Sequence, residues 1–240
     1  MDPTLLILGI AAFVTGFSKF SVGGLGMLIA PILMLAFPGQ QALGVMLPMY
    51  LIADLMVVAL YRREIAWPVL LAFVPLQVLG MGLGSLLLAN IDGRTFSVMT
   101  GCLILLMMAL DLFKGPRAQR WMESRAMTRF IGLLTGLISM LASAGGPLAS
   151  LYMMSMKLSR VAYVSTRAWS FLFIDLAKIP LLGSLGLLHP DVVVHLGYAL
   201  PTLLLGAGIG YLLLRHLQMR HFKWLIRLVS LFASTHLILG

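Results

Sequence analysis

The stretch "GFSKFSVGGLGM", residues 16–27, decides how the first apolar segment of the chain is interpreted. It places a lysine, Lys19, together with two serines and four glycines in a segment that carries no other charge from Leu5 to Phe37. A charged lysine is costly to bury in an apolar environment, and glycine weakens a helix. The segment is therefore no ordinary apolar helix, and its polar residues need a reason to lie there.

The composition is that of a protein that crosses a membrane several times. Of the 240 residues, 60% are hydrophobic and 10% are charged, and the mean hydropathy is +1.02. Soluble domains carry about a quarter charged residues, whereas here apolar runs of about 20 residues recur from end to end, the length of a membrane-spanning helix. The formal charge of +9 then indicates basic cytoplasmic loops rather than a partner nucleic acid.

Internal similarity predicts that the chain consists of two duplicated halves. The stretch "PLQVLGMGLGSLLL" at 75–88 aligns without a gap with "PTLLLGAGIGYLLL" at 201–214, and close helix packing best explains the shared glycines. Upstream, Asp54 in "IADL" aligns with Asp175 in "FIDL". Still further upstream, "VGGLG" at 22–26 aligns with "AGGPL" at 144–148, so three matches follow one another in the same order.

The positions of the basic residues in the loops distinguish between two possible membrane topologies. If each of eight apolar segments crossed the membrane once, basic loops would fall on both sides, against the positive-inside rule. If instead the first segment of each half enters the membrane and returns as a re-entrant hairpin, Arg94 is the only basic loop residue on the extracytoplasmic side. The cytoplasmic side then holds Arg62, Arg63, Lys114, Arg117, Arg120, Arg125, Arg129, Lys157, Arg160, Arg215, Arg220 and Lys223.

The predicted fold is an all-α polytopic membrane protein with two inverted repeats, each a re-entrant helical hairpin followed by three transmembrane helices. Repeat 1 covers residues 1–113, with a hairpin at 4–37 and helices at 41–61, 67–89 and 94–113. A basic cytoplasmic linker follows at 114–129. Repeat 2 covers 130–240, with a hairpin at 130–156 and helices at 161–187, 192–214 and 222–239. The two hairpin tips are expected to meet near the membrane centre.

The hairpin tips are the predicted anion site. A helix is expected to begin just after each tip, at Leu25 and at Pro147, and a helix N-terminus offers free N–H groups and the positive end of a dipole. Serine hydroxyls and one ammonium group add donors. The predicted ligands are Ser18, Lys19, Ser21, Gly23 and Gly24 in the first tip, and Ser143, Ala144, Gly145 and Gly146 in the second.

Four further charges are predicted at membrane depth. Arg167 and Lys178 are included in the substrate-binding set, Arg167 either as a guard of an inner vestibule or as a side chain that extends to the headgroups. Lys178 stands three residues after Asp175, a spacing that allows an ion pair, either structural or functional. Asp54 and Asp175 are candidates for coupling to a cation, although Lys19 can neutralise Asp54 across the bundle.

The sequence contains no motif for enzyme chemistry. No Walker motif, cysteine pair, HExxH motif or carboxylate dyad occurs, and the five histidines show no metal-binding pattern. We therefore predict no enzyme activity, no catalytic residue, no metal and no cofactor. The single cysteine, Cys102, excludes an internal disulfide.

These residues resemble the TauE/SafE sulfite exporter family, also called the four-toluene sulfonate uptake permease family (TSUP). The resemblance covers nearly the whole chain, and a branch of the family has a lysine in the first tip and a lysine-x-proline in the second half, here Lys19 and Lys178. Asp175 departs from that branch, which more often has asparagine there. The segments that carry the resemblance are "GFSKFSVGGLGMLIAP", "GLISMLASAGGP", "STRAWSFLFIDLAKIP" and the two "PxxxxGxGxG" helices.

The resemblance implies a secondary transporter of a small sulfur-containing anion, either sulfite or an organosulfonate, that works as an exporter. It implies a multi-pass protein of the bacterial inner membrane, with H⁺ or Na⁺ as coupling ion and the lipid bilayer as its surroundings. An oligomer is compatible with the sequence. The alternatives are a passive anion channel and an importer of another small anion.

Overall fold

The computed structural model describes residues 3–20, 25–112, 125–188, 191–216, 231–232 and 234–238. Within these ranges the chain is helical with short connections and contains no strand, which confirms the predicted all-α class. The helix predicted at 222–239 and the linker at 114–129 lie largely outside the described residues. The helices are α1 (Pro3–Phe20), α2 (Ile29–Met34), α3 (Gln41–Leu60), α4 (Trp67–Leu88), α5 (Gly93–Leu112), α6 (Arg125–Ala142), α7 (Gly146–Ser155), α8 (Arg160–Ser184) and α9 (Asp191–His216).

Four helices in the described part of the chain are long and apolar enough to cross a membrane: α1, α3, α4 and most of α5. Shorter apolar stretches occupy Arg129–Ala142 in α6 and Leu196–Leu212 in α9. α1 has 18 residues and therefore extends about 27 Å, although it was predicted to be one arm of a hairpin. Helix length by itself does not separate the two topologies, and the re-entrant hairpins stay a prediction.

The chain reverses its direction between α6 and α7. Ser143 has a φ of 48°, a left-handed conformation that few residues other than glycine adopt. Two residues later, Gly145 lies so close to the Thr135 carbonyl that an added Cβ would stand 2.8 Å from its oxygen. α7 therefore folds back along α6, and its 10 residues extend about 15 Å, half of a bilayer core.

The corresponding turn in the first half differs from our prediction. A helix was expected from Leu25, but the chain forms a 3₁₀ turn at Leu25–Leu28 and becomes α-helical only at Ile29. Pro31 favours this delay, because proline has no N–H to donate to the Met27 carbonyl and so cannot complete that turn as an α-helix. The first tip therefore lacks the regular helix N-terminus that the second tip has.

α1 packs along α9, and glycine makes the contact close. A Cβ on Gly16 of α1 would collide with the carbonyl oxygen of Leu203, and one on Gly206 of α9 would collide with the carbonyl oxygen of Phe13. The two backbones therefore touch on both sides of this interface. Gly206 thus has the packing role expected for the glycines of the second "PxxxxGxGxG" helix, whereas a Cβ on Gly208 would meet nothing within 4 Å, contrary to that expectation.

α4 packs along α6 in the same manner. A Cβ on Gly136 of α6 would collide with the carbonyl oxygen of Gln77, and one on Gly80 of α4 with that of Leu133. In the alignment of the halves, Gln77 and Gly80 correspond to the two α9 residues that contact α1. The duplicated architecture stays a prediction, and these matched contacts support it.

We expect Gly80→Ala to lower the free energy of unfolding by about 1–3 kcal/mol, because the new methyl group meets the backbone of Leu133 and forces α4 away from α6. Gly82→Ala on the same helix is the matched control. Nothing lies within 4 Å of a Cβ there, so stability should stay unchanged or rise slightly, since alanine favours helix. Thermal unfolding in detergent measures both, and equal effects of the two changes would argue against the close interface.

Candidate functional site

Four charged side chains from three helices form one network inside the bundle. Lys19, in the last turn of α1, donates to both carboxylate oxygens of Asp54 on α3 at 2.7 and 2.8 Å. It also donates to Asp175 on α8 at 3.3 Å. Lys178, one turn further along α8, donates to the other oxygen of Asp175 at 2.9 Å. Two ammonium groups and two carboxylates formally cancel, so the network as a whole is neutral.

This charge network is buried almost completely. The exposed fraction is 1% for Asp54, 2% for Asp175 and 4% for Lys178, while the Lys19 side chain is 12% exposed. Unpaired, each ion would cost several kcal/mol in so apolar a setting, and mutual pairing explains how all four are accommodated. Both ion pairs that the sequence allowed, the local one on α8 and the one across the bundle, are therefore present.

Two aromatic rings contact the Lys19 ammonium group. Its Nζ lies 4.4 Å from the ring centre of Tyr50 on α3 and 5.0 Å from that of Phe171 on α8. Each ring stands one helical turn before an aspartate of the network. We did not predict either ring as a site residue, but a signal was present, because the alignment of Asp54 with Asp175 also aligns Tyr50 with Phe171.

A cavity of about 50 Å³ lies between the two tips and is the candidate site. The structure brings most of the predicted residues to its wall, while Asp54 lines a second cavity instead. Ser21, Gly23 and Gly24 lie outside the described residues. The predicted residues that line the cavity are Ser18, Lys19, Ser143, Ala144, Gly145, Gly146, Arg167, Asp175 and Lys178.

The second tip presents the N-terminus of α7 to this cavity. Gly145 is the N-cap and Gly146 the first helical residue, and the N–H groups of a first turn have no acceptor within the helix. Beside them, the Ser143 hydroxyl accepts from Lys178 at 3.4 Å and donates to the Ser139 carbonyl at 3.3 Å. The cavity thus offers oriented N–H dipoles next to a cation and a hydroxyl, a combination that binds oxyanions.

Arg167 is a positive charge at the cavity that does not belong to the neutral charge network. It is half-buried on α8, and its guanidinium carbon lies 5.5 Å from the ring centre of Phe171. None of the ion pairs within the described residues includes it. Arg167 lines both this cavity and a larger one, and its two possible roles, guard of a vestibule and side chain that extends to the headgroups, stay predictions.

The larger cavity has a volume of about 740 Å³ and lies beyond Arg167 and Phe171. Lys19 and Asp54 line it as well, so it reaches the charge network. It follows the last turns of α3 and the first turns of α8, next to the basic loops at Arg62 and Lys157. Under the predicted topology it therefore faces the cytoplasm. Its apolar wall includes Phe20, Val57, Tyr61, Val164 and Ala168.

The groups at this cavity are suited to noncovalent binding of a small anion. In the ranges that the structure describes, no three His, Cys, Asp or Glu side chains are placed to hold a metal ion. The carboxylates are engaged with lysines, and the remaining groups at the cavity are N–H and hydroxyl donors and a guanidinium. Such a set can bind and release an oxyanion.

Comparison with known proteins identifies the family. The sequence pattern of the sulfite exporter TauE/SafE family matches residues 8–237, which include both tips and the charge network. No curated protein and no solved structure matched the chain. The branch with a lysine in the first tip stays a prediction. With nearly its whole length matched, the chain belongs to the TauE/SafE sulfite exporter family, a family of membrane transporters of sulfite and related sulfur anions.

Proposed function

We propose that this chain exports a small sulfur-containing oxyanion, sulfite or an organosulfonate, by secondary transport across a bacterial inner membrane. The observation that carries the proposal is the 50 Å³ cavity in which the N-terminus of α7, Lys178 and Arg167 come together. One water needs about 10–15 Å³ of such space, so the cavity holds roughly four water-sized groups. Sulfite, with one sulfur and three oxygens, has that size.

Charge balance favours an anion with a single negative charge. The network of Lys19, Asp54, Asp175 and Lys178 is neutral, and Arg167 adds one positive charge at the cavity wall. A hydrogen sulfite ion or a sulfonate head group would neutralise that charge. The tail of a larger sulfonate would then extend past Phe171 into the apolar cavity of about 740 Å³.

The proposed ligands follow from the same geometry. Arg167 and Lys178 supply charge, and the N–H groups of the second tip supply directed hydrogen bonds. The Ser18 hydroxyl at the first tip adds a further donor. The full proposed set is Ser18, Lys19, Ser21, Gly23, Gly24, Ser143, Ala144, Gly145, Gly146, Arg167 and Lys178.

Asp54 and Asp175 are the proposed coupling groups, with H⁺ or Na⁺ as the coupling ion. In the observed arrangement Lys19 is held by both carboxylates and is not available to an anion. A proton or a sodium ion at Asp54 would cancel the charge that holds Lys19 and leave the site one positive charge richer. The cation and the anion would then favour each other in the same state, and this gives coupling a physical basis.

Flux into proteoliposomes tests the proposal. We expect radiolabelled sulfite to accumulate above equilibrium when a proton or sodium gradient is imposed, and to be displaced by small sulfonates more effectively than by carboxylates of similar size. A passive channel would only equilibrate the label, whatever gradient is imposed. Uptake of another anion without any uptake of sulfite or sulfonates would reject the proposed cargo.

A further inference from the structure

A third cavity, with a volume of only about 10 Å³, lies on the other side of the charge network from the large one. It follows the first half of α3 and the last half of α8, whereas the large cavity follows the opposite ends of the same two helices. A space of this size holds about one water. The two cavities thus face each other across Lys19, Asp54, Asp175 and Lys178, one open and one collapsed.

The walls of these two cavities are built from aligned residues. The alignment that places Asp54 on Asp175 also pairs four α3 residues of the collapsed cavity with four α8 residues of the open one. The pairs are Leu43 with Val164, Met46 with Arg167, Leu47 with Ala168, and Tyr50 with Phe171. A match at four positions of one helix face is the pattern expected when a repeat lines each cavity in turn.

The correspondence also holds in the other direction. Lys178 and Leu182 of α8 line the collapsed cavity, and their aligned partners, Val57 of α3 and Tyr61 directly after α3, line the open one. Met140 of α6 lines the collapsed cavity as well. Its counterpart on α1, counted from the matched glycine contacts of the two helix pairs, is Phe20 of the open cavity.

We propose that the collapsed cavity is the closed outer half of the anion's path, and that the structure is the inward-open one of two states. In the second state the halves exchange conformations, the cavity beside Leu47 opens away from the cytoplasm, and the cavity beside Ala168 collapses. The inference rests on the proposed function for the cargo and on the predicted inverted repeats for the direction. The match between the two cavity walls does not depend on the cargo.

The two half-paths differ in where they carry positive charge. On the inner path Arg167 adds a cation to Lys19 of the charge network, and the aligned partner of Arg167 on the outer side is Met46. On the outer path the cation is Lys178, whose aligned partner on the inner side is Val57. An anion leaving the cell would therefore pass from the guanidinium of Arg167 to the ammonium of Lys178 as the inner cavity collapses and the outer cavity opens.

Cysteine labelling at one aligned pair of positions tests the outer path. Leu47 is 3% exposed and Ala168 5% exposed, and each lines one cavity. In a Cys102→Ser background, a membrane-impermeant thiol reagent is added to sealed vesicles of either orientation. We expect Ala168→Cys to react only from the cytoplasmic face and Leu47→Cys only from the opposite face, more slowly.

A bulky residue in either cavity should shift the two rates in opposite directions. A tryptophan at Val164 fits the open inner cavity but cannot fit a collapsed one, so it should slow labelling of Leu47→Cys roughly tenfold or more. Leu43→Trp is the aligned change on the outer side, where the space is about 10 Å³. It should speed labelling of Leu47→Cys and slow that of Ala168→Cys.

The outcomes separate this inference from the proposed function. No labelling of Leu47→Cys from the outer face in any background, or shifts of both rates in the same direction, overturns the outer path. Phenylalanine at Leu43 and at Val164 replaces tryptophan if either variant fails to elute as a single species in gel filtration. Opposed shifts without any sulfite flux would reject only the cargo, because the labelling needs no substrate.

Discussion

Lys19→Ala is expected to destabilise the protein by about 3–5 kcal/mol and to abolish transport. The ammonium group donates to three carboxylate oxygens, two of Asp54 and one of Asp175, and both aspartates are buried. Removing one partner of a buried ion pair leaves an uncompensated charge, and this costs about the amount given. The midpoint of thermal unfolding in detergent measures the loss of stability, and sulfite flux in proteoliposomes measures transport.

Loss of transport in this single variant does not assign Lys19 to the anion, since misfolding would have the same effect. The double variant Lys19→Ala with Asp54→Asn removes one positive and one negative charge together. Lys178 still pairs with Asp175, so most of the lost stability should return. We expect transport to stay absent in the double variant. A single variant as stable as the wild type would contradict the observed ion pairs.

Arg167→Gln is expected to weaken anion binding by roughly 10- to 100-fold while changing the free energy of unfolding little. Hydrogen bonds to a charged group contribute about 1.5–3 kcal/mol, which corresponds to that loss of affinity. Stability should be nearly unchanged because, among the described residues, Arg167 forms no ion pair, so the change leaves no buried carboxylate unpaired.

Arg167→Lys is the matched control, because it keeps the positive charge and loses the planar, two-pronged donor group. It should recover part of the affinity, since a lysine ammonium attracts an oxyanion but does not bind two of its oxygens side by side. The sulfite-dependent rise of the unfolding midpoint measures binding in all three proteins. Equal affinities in the wild type and Arg167→Gln would remove Arg167 from the site, and a large loss of stability would give it a structural role.

Much of the fold could be predicted from the sequence. Hydropathy adds up along the chain, so the recurring apolar runs were enough to indicate a helical membrane protein. Local spacing was enough for the ion pair between Asp175 and Lys178, because residues three apart on a helix are always neighbours. The motifs around the two tips also pointed to the family that the match over residues 8–237 shows.

Other features depended on contacts that no local pattern contains. Gly80 and Gly82 are equivalent in the sequence, yet a Cβ on the first would meet the backbone of α6 and a Cβ on the second would meet nothing within 4 Å. The α-helix after the first tip begins later than predicted because Pro31 has no N–H to donate to the Met27 carbonyl, an effect on the preceding turn that hydropathy does not contain. Tyr50 and Phe171 were missed because aromatic side chains are ordinary in an apolar helix.

The sequence by itself determined the class of the protein, its family and the residues available for a polar site, because composition, spacing and motifs are properties of the chain alone. Only the tertiary structure decided where the charges go. Lys19, Asp54 and Asp175 come from three different helices, and the distances between them exist only once those helices pack. In that packing Lys19 neutralises the buried aspartates, because unpaired buried ions are costly. Arg167 has no carboxylate partner among the described residues and is therefore the positive charge available to a ligand at the cavity.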